Sequence, residues 1–263
     1  MIPCHICRLV CDLQRIGRDN KVVERVQALL ERGPCCGGVH ARLAVSLARI
    51  GRIDEALAEA REGIRLDPNR DVCHWALSAV LLAKGSLRAA EKSALEAVRL
   101  APNDAFNHCH LADVYARRRK WHAALEETDR ALALNPTYAD CMQTRAFVLG
   151  RLKRTDEAIE AAEAALALDP QASFGHTVRG CLHLERCELD KAKESFREAL
   201  RLNPTDDAAR SCYDLSLSRE RTARRLVASS ESHGGSGFKW WWLVFLIGGQ
   251  TVMRACSEMS QIQ

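Results

Sequence analysis

The chain has almost no net charge. Its 38 Lys and Arg stand against 34 Asp and Glu over 263 residues, a formal balance of +4. So small an excess, spread along the sequence, gives no basic footprint for a nucleic-acid backbone, and no nucleic-acid partner is expected. Aromatic residues are scarce, at 5%, whereas Ala, Leu, Arg and Glu are abundant, the composition of stacked helices rather than of one large core. Catalytic signatures are missing: there is no P-loop, no His-Glu-x-x-His and no nucleophile elbow. Paired carboxylates such as Glu126-Glu127 and Asp206-Asp207 read as solvated charges on helix faces or turns. No enzymatic activity and no cofactor are expected. Met1 to Val10 lacks the continuous apolar stretch of a secretory leader. Twelve scattered cysteines in such a chain read as reduced thiols in the cytoplasm, acting as small apolar side chains.

Proline is rare too, and its placement is the main signal. Of seven prolines, six form a ladder with a step of 34 residues: Pro34, Pro68, Pro102, Pro136, Pro170 and Pro204. A fixed step of this kind marks copied units. Leu stands two places before five of these prolines, at Leu66, Leu100, Leu134, Leu168 and Leu202. Ala stands twelve places before, at Ala56, Ala90, Ala124, Ala158 and Ala192. A second small residue stands five places before, at Gly63, Ala97, Ala131, Ala165 and Ala199. Apolar residues between these marks recur at helical spacing. Gly17, Gly51 and Gly85 share one phase and would break each unit in the middle. Each unit is therefore two short helices, with a turn between them and a proline-marked turn after them. The small residues belong where two helices cross closely.

These residues resemble the tetratricopeptide repeat family in the 34-residue period, the small residue at position 20 and the proline at position 32. The resemblance implies an all-α, right-handed solenoid of helix–turn–helix repeats with a C-terminal capping helix. It gives units 37–70, 71–104, 105–138, 139–172 and 173–206, after a degenerate unit 3–36 that keeps Leu9, Leu13, Gly17 and Pro34. The chain departs from the family pattern at position 4, where Trp is replaced by His40, His74, His108, Met142 and His176. At position 8 Gly is kept only as Gly180, and Phe at position 24 only as Phe196. These changes are expected to loosen packing rather than alter the fold. Four histidines in one phase imply a packing role and neutral rings, not four ligands.

The resemblance also implies a concave groove lined by the first helix of each unit. The positions carried over are Trp75, Phe106, Cys109, Asp113, Gln143, Phe147, Phe174 and Thr177, with Arg49, Arg117 and Arg151 as a row along one edge. Such a floor would suit a peptide with apolar anchors and carboxylates beside them. The Lys/Asn/Arg clamp of chaperone-binding members is absent, since the corresponding positions hold Ala41, Trp75 and Cys109, then Val45, Ala79 and Asp113. The expectation is an adaptor or scaffold for a protein or peptide partner. Alternatives are the substrate-recruiting arm of an enzyme complex and a zinc- or redox-responsive module. The latter would use Cys4 and Cys7, with Cys35, Cys36 or His40 completing the ligands, although their spacing is not a standard zinc pattern and plain packing accounts for them as well.

Beyond Pro204 the pattern continues as one amphipathic helix, about 205–228, whose Ala208, Cys212, Leu215 and Leu217 would cover the last apolar face. Residues 229–237, rich in Ser and Gly, read as a flexible linker. The segment 238–256 is apolar, with Trp240-Trp241-Trp242 at its start and an uncharged run from Trp240 to Met253. It is short against the about 20 residues of a spanning helix, yet tryptophans at one end suit a membrane interface, so a C-terminal membrane tether is expected.

Overall fold

The structure, a computed structural model, describes residues 19–30 and 36–232. Cys4, Cys7, Cys11, Cys35 and the segment 238–256 lie outside them. Among the described residues there are twelve helices and no strand. In chain order they are α1 (Asp19–Leu30), α2 (Gly37–Arg49), α3 (Ile53–Leu66), α4 (Asp71–Ala83), α5 (Leu87–Leu100), α6 (Ala105–Arg117), α7 (Trp121–Leu134), α8 (Ala139–Arg151), α9 (Thr155–Leu168), α10 (Ser173–Glu185), α11 (Leu189–Leu202) and α12 (Asp207–Ser232). They fall into two units, residues 1–154 and 155–263.

The mid-unit turn has one construction throughout. Gly51 and Gly85 adopt φ of 85° and 78°, and Arg119, Lys153 and Cys187 adopt 59°, 64° and 60° at the same phase. The next residue then donates back to the fifth residue before it: Arg52 N to Leu47 O at 2.9 Å, and likewise Lys120 N to Tyr115 O at 2.9 Å and Glu188 N to His183 O at 2.9 Å. This is a left-handed helix stop, which satisfies the terminal carbonyls and reverses the chain. The proline-marked turn is a β-turn. Asp67 O accepts from Arg70 N at 3.2 Å around Pro68, and Asn203 O from Asp206 N at 3.2 Å around Pro204. Proline fits the second place of such a turn and cannot extend the helix before it.

The small phases are buried, as close crossing requires. Ala56, Ala90, Ala124, Ala158 and Ala192 are inaccessible to solvent. A Cβ on Gly37 would lie 2.4 Å from Gly63 O, so α2 and α3 meet backbone to backbone there. In the first unit of the chain Val22, Val26, Val39, Leu43, Leu47 and Val80 form the largest apolar cluster, which joins α1 to α2, α3 and α4. In the second, Leu184, Ala192 and Phe196 pack with Cys212 of α12.

Positions 8 and 24 vary together. Gly180 sits against Phe196, whose ring would lie 2.6 Å from any added Cβ. Elsewhere position 24 is Ala60, Ala94 or Thr128, and position 8 of the same repeat is Ala44, Ser78 or Ala112; all six are buried. The end of α12 also differs from expectation. The helix continues to Ser232, four residues into the stretch read as a linker. Ser229-Ser230-Glu231-Ser232 contains neither Gly nor Pro, and the first Gly comes only at Gly234.

Candidate peptide-binding surface

The first helices present two aromatic groupings in the first unit. Trp75 of α4 meets Phe106 of α6 edge to face, with centroids 5.0 Å apart, and His110 at 6.2 Å. Trp121 of α7 meets Phe147 of α8 edge to face at 6.1 Å. The Arg151 guanidinium lies over the Trp121 ring, 5.2 Å from its centroid. Phe106 is 41% exposed and Phe147 36%. In the second unit Phe174 is half exposed, at 50%. Six large apolar side chains are exposed among the described residues, and these three belong to the predicted floor. Trp121 and His110 were not picked out from the sequence. Trp121 opens a second helix, and only the packing of α7 on α8 brings it to Phe147.

Three predicted floor residues are buried instead. Cys109 is 7% exposed, Gln143 5% and Thr177 7%. All three hold position 5, which lies deeper than the neighbouring positions. Cys109 packs with Ala131 and Cys141. Thr177 Oγ1 lies 3.0 Å from Asp206 Oδ2 at the start of α12. Gln143 Nε2 is a buried donor without a hydrogen-bond partner among the described residues. Trp75, at the same position, is half-buried because its ring is turned onto Phe106.

The row of arginines is largely neutralised within the chain. Arg117 pairs with Asp113, one turn earlier on the same helix, at 3.2 Å. Arg49 faces Asp19 at 3.8 Å. Arg151 is exposed and has no ion-pair partner among the described residues. Its charge is the one left to meet an anion. Glu127, read as a solvated charge, is buried. His108 Nδ1 lies 2.6 Å from its Oε2, and Arg130 Nη1 2.5 Å from its Oε1.

The shared histidine phase is explained by one hydrogen bond. His74, His108 and His176 Nε2 donate to the carbonyls of Pro68, Pro102 and Pro170 at 2.8, 2.9 and 3.0 Å. Each ring thereby ties the start of its unit to the turn before it. His40 instead turns Nδ1 to Glu59 at 2.7 Å. His108 makes a second contact through its other nitrogen. Its Nε2 meets Pro102 O and its Nδ1 the Glu127 carboxyl, so the ring bridges the turn to α7. No group of three or more His, Cys, Asp or Glu is placed to hold a metal among the described residues.

The comparisons with known proteins agree with this geometry. Residues 139–172 and 173–206 each match a family model described as a tetratricopeptide repeat. Residues 139–206 are thus two tetratricopeptide repeats. The repeat array is similar to a thermophilic TPR protein of Thermus thermophilus, with a TM-score of 0.62 and 24% identity over 69% of this chain and 99% of the other. It is also similar to MamA from Desulfovibrio magneticus, with a TM-score of 0.52 and 20% identity over 65% of this chain and 97% of the other. At these identities the likeness establishes the all-α repeat fold. No curated protein matches the array.

Proposed function

We propose that this protein is an interaction scaffold, without catalysis of its own, that takes a partner peptide on the first-helix face of its repeats. The observation that carries the reading is the exposure of Phe106 and of Phe147, whose ring partner Trp121 also stacks with Arg151. Exposed rings held edge to face by a tryptophan keep a fixed orientation, so little side-chain entropy is lost when a ligand covers them. Aromatic and Arg side chains are the usual carriers of interface energy. The partner chemistry they favour is an apolar side chain followed by a carboxylate, the first against the rings and the second at Arg151.

A peptide library displayed against the purified full chain tests this. Recovered peptides should share an aromatic or aliphatic anchor next to Asp or Glu. Phe106→Ala and Phe147→Ala should each weaken capture about tenfold, equivalent to about 1.4 kcal/mol, with helicity unchanged. Arg151→Glu should remove the acidic preference. Capture unaffected by all three would overturn the assignment.

The membrane tether belongs to the same reading and rests on the sequence of 238–256 alone. No helix of the described residues is long and apolar enough to cross a membrane. If the tail is a tether, the full chain stays in carbonate-washed membranes and a chain stopped at Ser232 does not. Both remaining soluble would remove the tether and leave the scaffold reading intact.

A further inference from the structure

The sequence scatters Cys181 and Cys212, but the fold brings them together. Cys181 lies on α10, in the first helix of the last repeat, and Cys212 on the capping helix α12. Their sulfurs are 3.9 Å apart, with the Cys181 thiol directed at Cys212. Around them stand the buried Leu184, Ala192 and Phe196 and the half-buried Tyr213 and Leu215. The thiols differ in access: Cys212 is 8% exposed, and Cys181 is more open. A disulfide needs the sulfurs about 2 Å apart, so roughly a further 2 Å of approach suffices.

The surroundings favour a thiolate at Cys212. The hydrogen bond from Cys181 holds its pKa below the usual thiol range, against the effect of burial, and Arg219 pulls in the same direction while Asp206 opposes it. Arg219 lies two turns along the same helix. Its Nη1 and Nη2 are shielded from solvent and have no hydrogen-bond partner among the described residues. A cation so placed is better compensated when a negative charge forms nearby. A second cysteine pair supplies the contrast. Cys109 and Cys141 are both buried in one cluster. There the neighbouring Cys141 and burial push the Cys109 thiol far up, which disfavours a thiolate at Cys109.

We propose that Cys181 and Cys212 form a peroxide-responsive dithiol, which closes into a disulfide that staples the capping helix to the last repeat. The Cys212 thiolate attacks one oxygen of hydrogen peroxide. An S–O bond forms, the O–O bond breaks, and hydroxide leaves with its electron pair. The Cys181 sulfur then attacks Cys212 Sγ. The S–S bond forms, the S–O bond breaks, and the Cys181 proton leaves with the departing oxygen as water. A solvent proton neutralises the first hydroxide. The sum is two thiols and one peroxide to one disulfide and two waters. Peroxide is a small oxidant, and Cys212 as a residue is 8% exposed. A dithiol reductant reverses the step by thiol–disulfide exchange.

The test is thiol mapping on the full chain. The reduced protein is treated with hydrogen peroxide at increasing ratios, blocked with N-ethylmaleimide under denaturing conditions, digested and read by mass spectrometry. The expected result is a linked peptide pair carrying Cys181 and Cys212, cleaved by dithiothreitol, while Cys109 and Cys141 are still blocked as thiols. Trypsin cleavage within α12 should slow several-fold in the oxidised form and recover on reduction. Cys181→Ser should stop at a Cys212 sulfenic acid trapped by dimedone. Should that variant fail to fold, the wild-type map decides alone. Separate blocking of Cys181 and Cys212 at a ratio that oxidises the exposed Cys187 would overturn the proposal, as would linkage of either to another cysteine.

Discussion

At the scale of single residues, the left-handed turn position shows where side chains are held against their preference. Gly51 and Gly85 adopt positive φ without strain, whereas Arg119, Lys153 and Cys187 carry a Cβ into the same region. That conformation costs a non-glycine residue about 1–2 kcal/mol. Cys187 is exposed, so replacing it loses little else. Cys187→Gly should raise stability in urea unfolding by about 1 kcal/mol, and Gly85→Ala should lower it by about as much. Open space surrounds a Cβ at Gly85, so this loss would be purely conformational. The turn was legible in the sequence from Gly17, Gly51 and Gly85. That Arg, Lys and Cys take the same conformation was not, since nothing in their chemistry favours it and only the stacked helices impose it. The position-4 histidines separate in a similar way. His108 holds the buried Glu127 carboxyl, whereas His74 makes one bond at the surface. His108→Ala strands a buried charge and should cost about 3 kcal/mol, reduced to the extent that Arg130 compensates. His74→Ala should cost about 1 kcal/mol or less. Equal losses for the two in urea unfolding would show that the Glu127 contact contributes nothing.

At the scale of elements, pairs of helices are fixed by complementary side chains rather than by either residue alone. Phe196 is fully buried against Gly180, so Gly180→Ala drives a methyl group into a ring that cannot move away. Thermal unfolding should show a loss of about 1–3 kcal/mol. The sequence displayed both retained residues, Gly180 and Phe196, but not that each permits the other, because that relation exists only across the α10–α11 contact. Another such tie joins α4 and α6. The Ser78 hydroxyl donates to Ala90 O at 2.9 Å, which leaves its oxygen to accept from His110 Nε2 at 2.9 Å. Burial pushes the His110 pKa down to about 4, with Asp113 opposing the shift and Arg117 adding to it. The unfolded chain therefore takes up this proton as pH falls through about 6.5, while the folded chain resists until about 4. The contribution is complete above about pH 6.5 and is lost progressively down to about pH 4, to a total of about 3 kcal/mol. The difference in urea midpoint between the natural chain and His110→Asn should narrow steadily over that range. A difference independent of pH would mean that the ring is not protonated on unfolding.

At the scale of the whole molecule, the helical pairs between residues 37 and 206 were legible from the proline ladder, because a copied unit writes its period into the sequence. The exposure of the proposed binding surface was legible only in part. Phe106, Phe147 and Phe174 are exposed as expected, but Cys109, Gln143 and Thr177 fill space between helices. A position number gives the face of a helix, and the size and depth of the neighbours decide whether that face reaches solvent. A repeat array also needs its ends covered, since each unit contacts only its neighbours. Here α12 performs that role for the second unit, packing on α11 and α10. It places Cys212 and half-buried Tyr213 and Leu215 over Phe196, Ala192 and Leu184. Uncovering Phe196 and its neighbours forfeits about 1.5–3 kcal/mol for each large apolar side chain returned to water. A chain stopped at Asp206 should therefore bind a hydrophobic dye, unfold α9–α11 at lower urea and lose amide protection there. Amides of α2–α5 should be little changed, because they lie repeats away and stability in such arrays is a sum of local terms. Hydrogen exchange resolves the two regions within one experiment. Uniform loss across the chain would mean that the array folds as a single cooperative body. Loss confined to α9–α11 would make α12, and whatever fixes it in place, the control point for the last repeat alone.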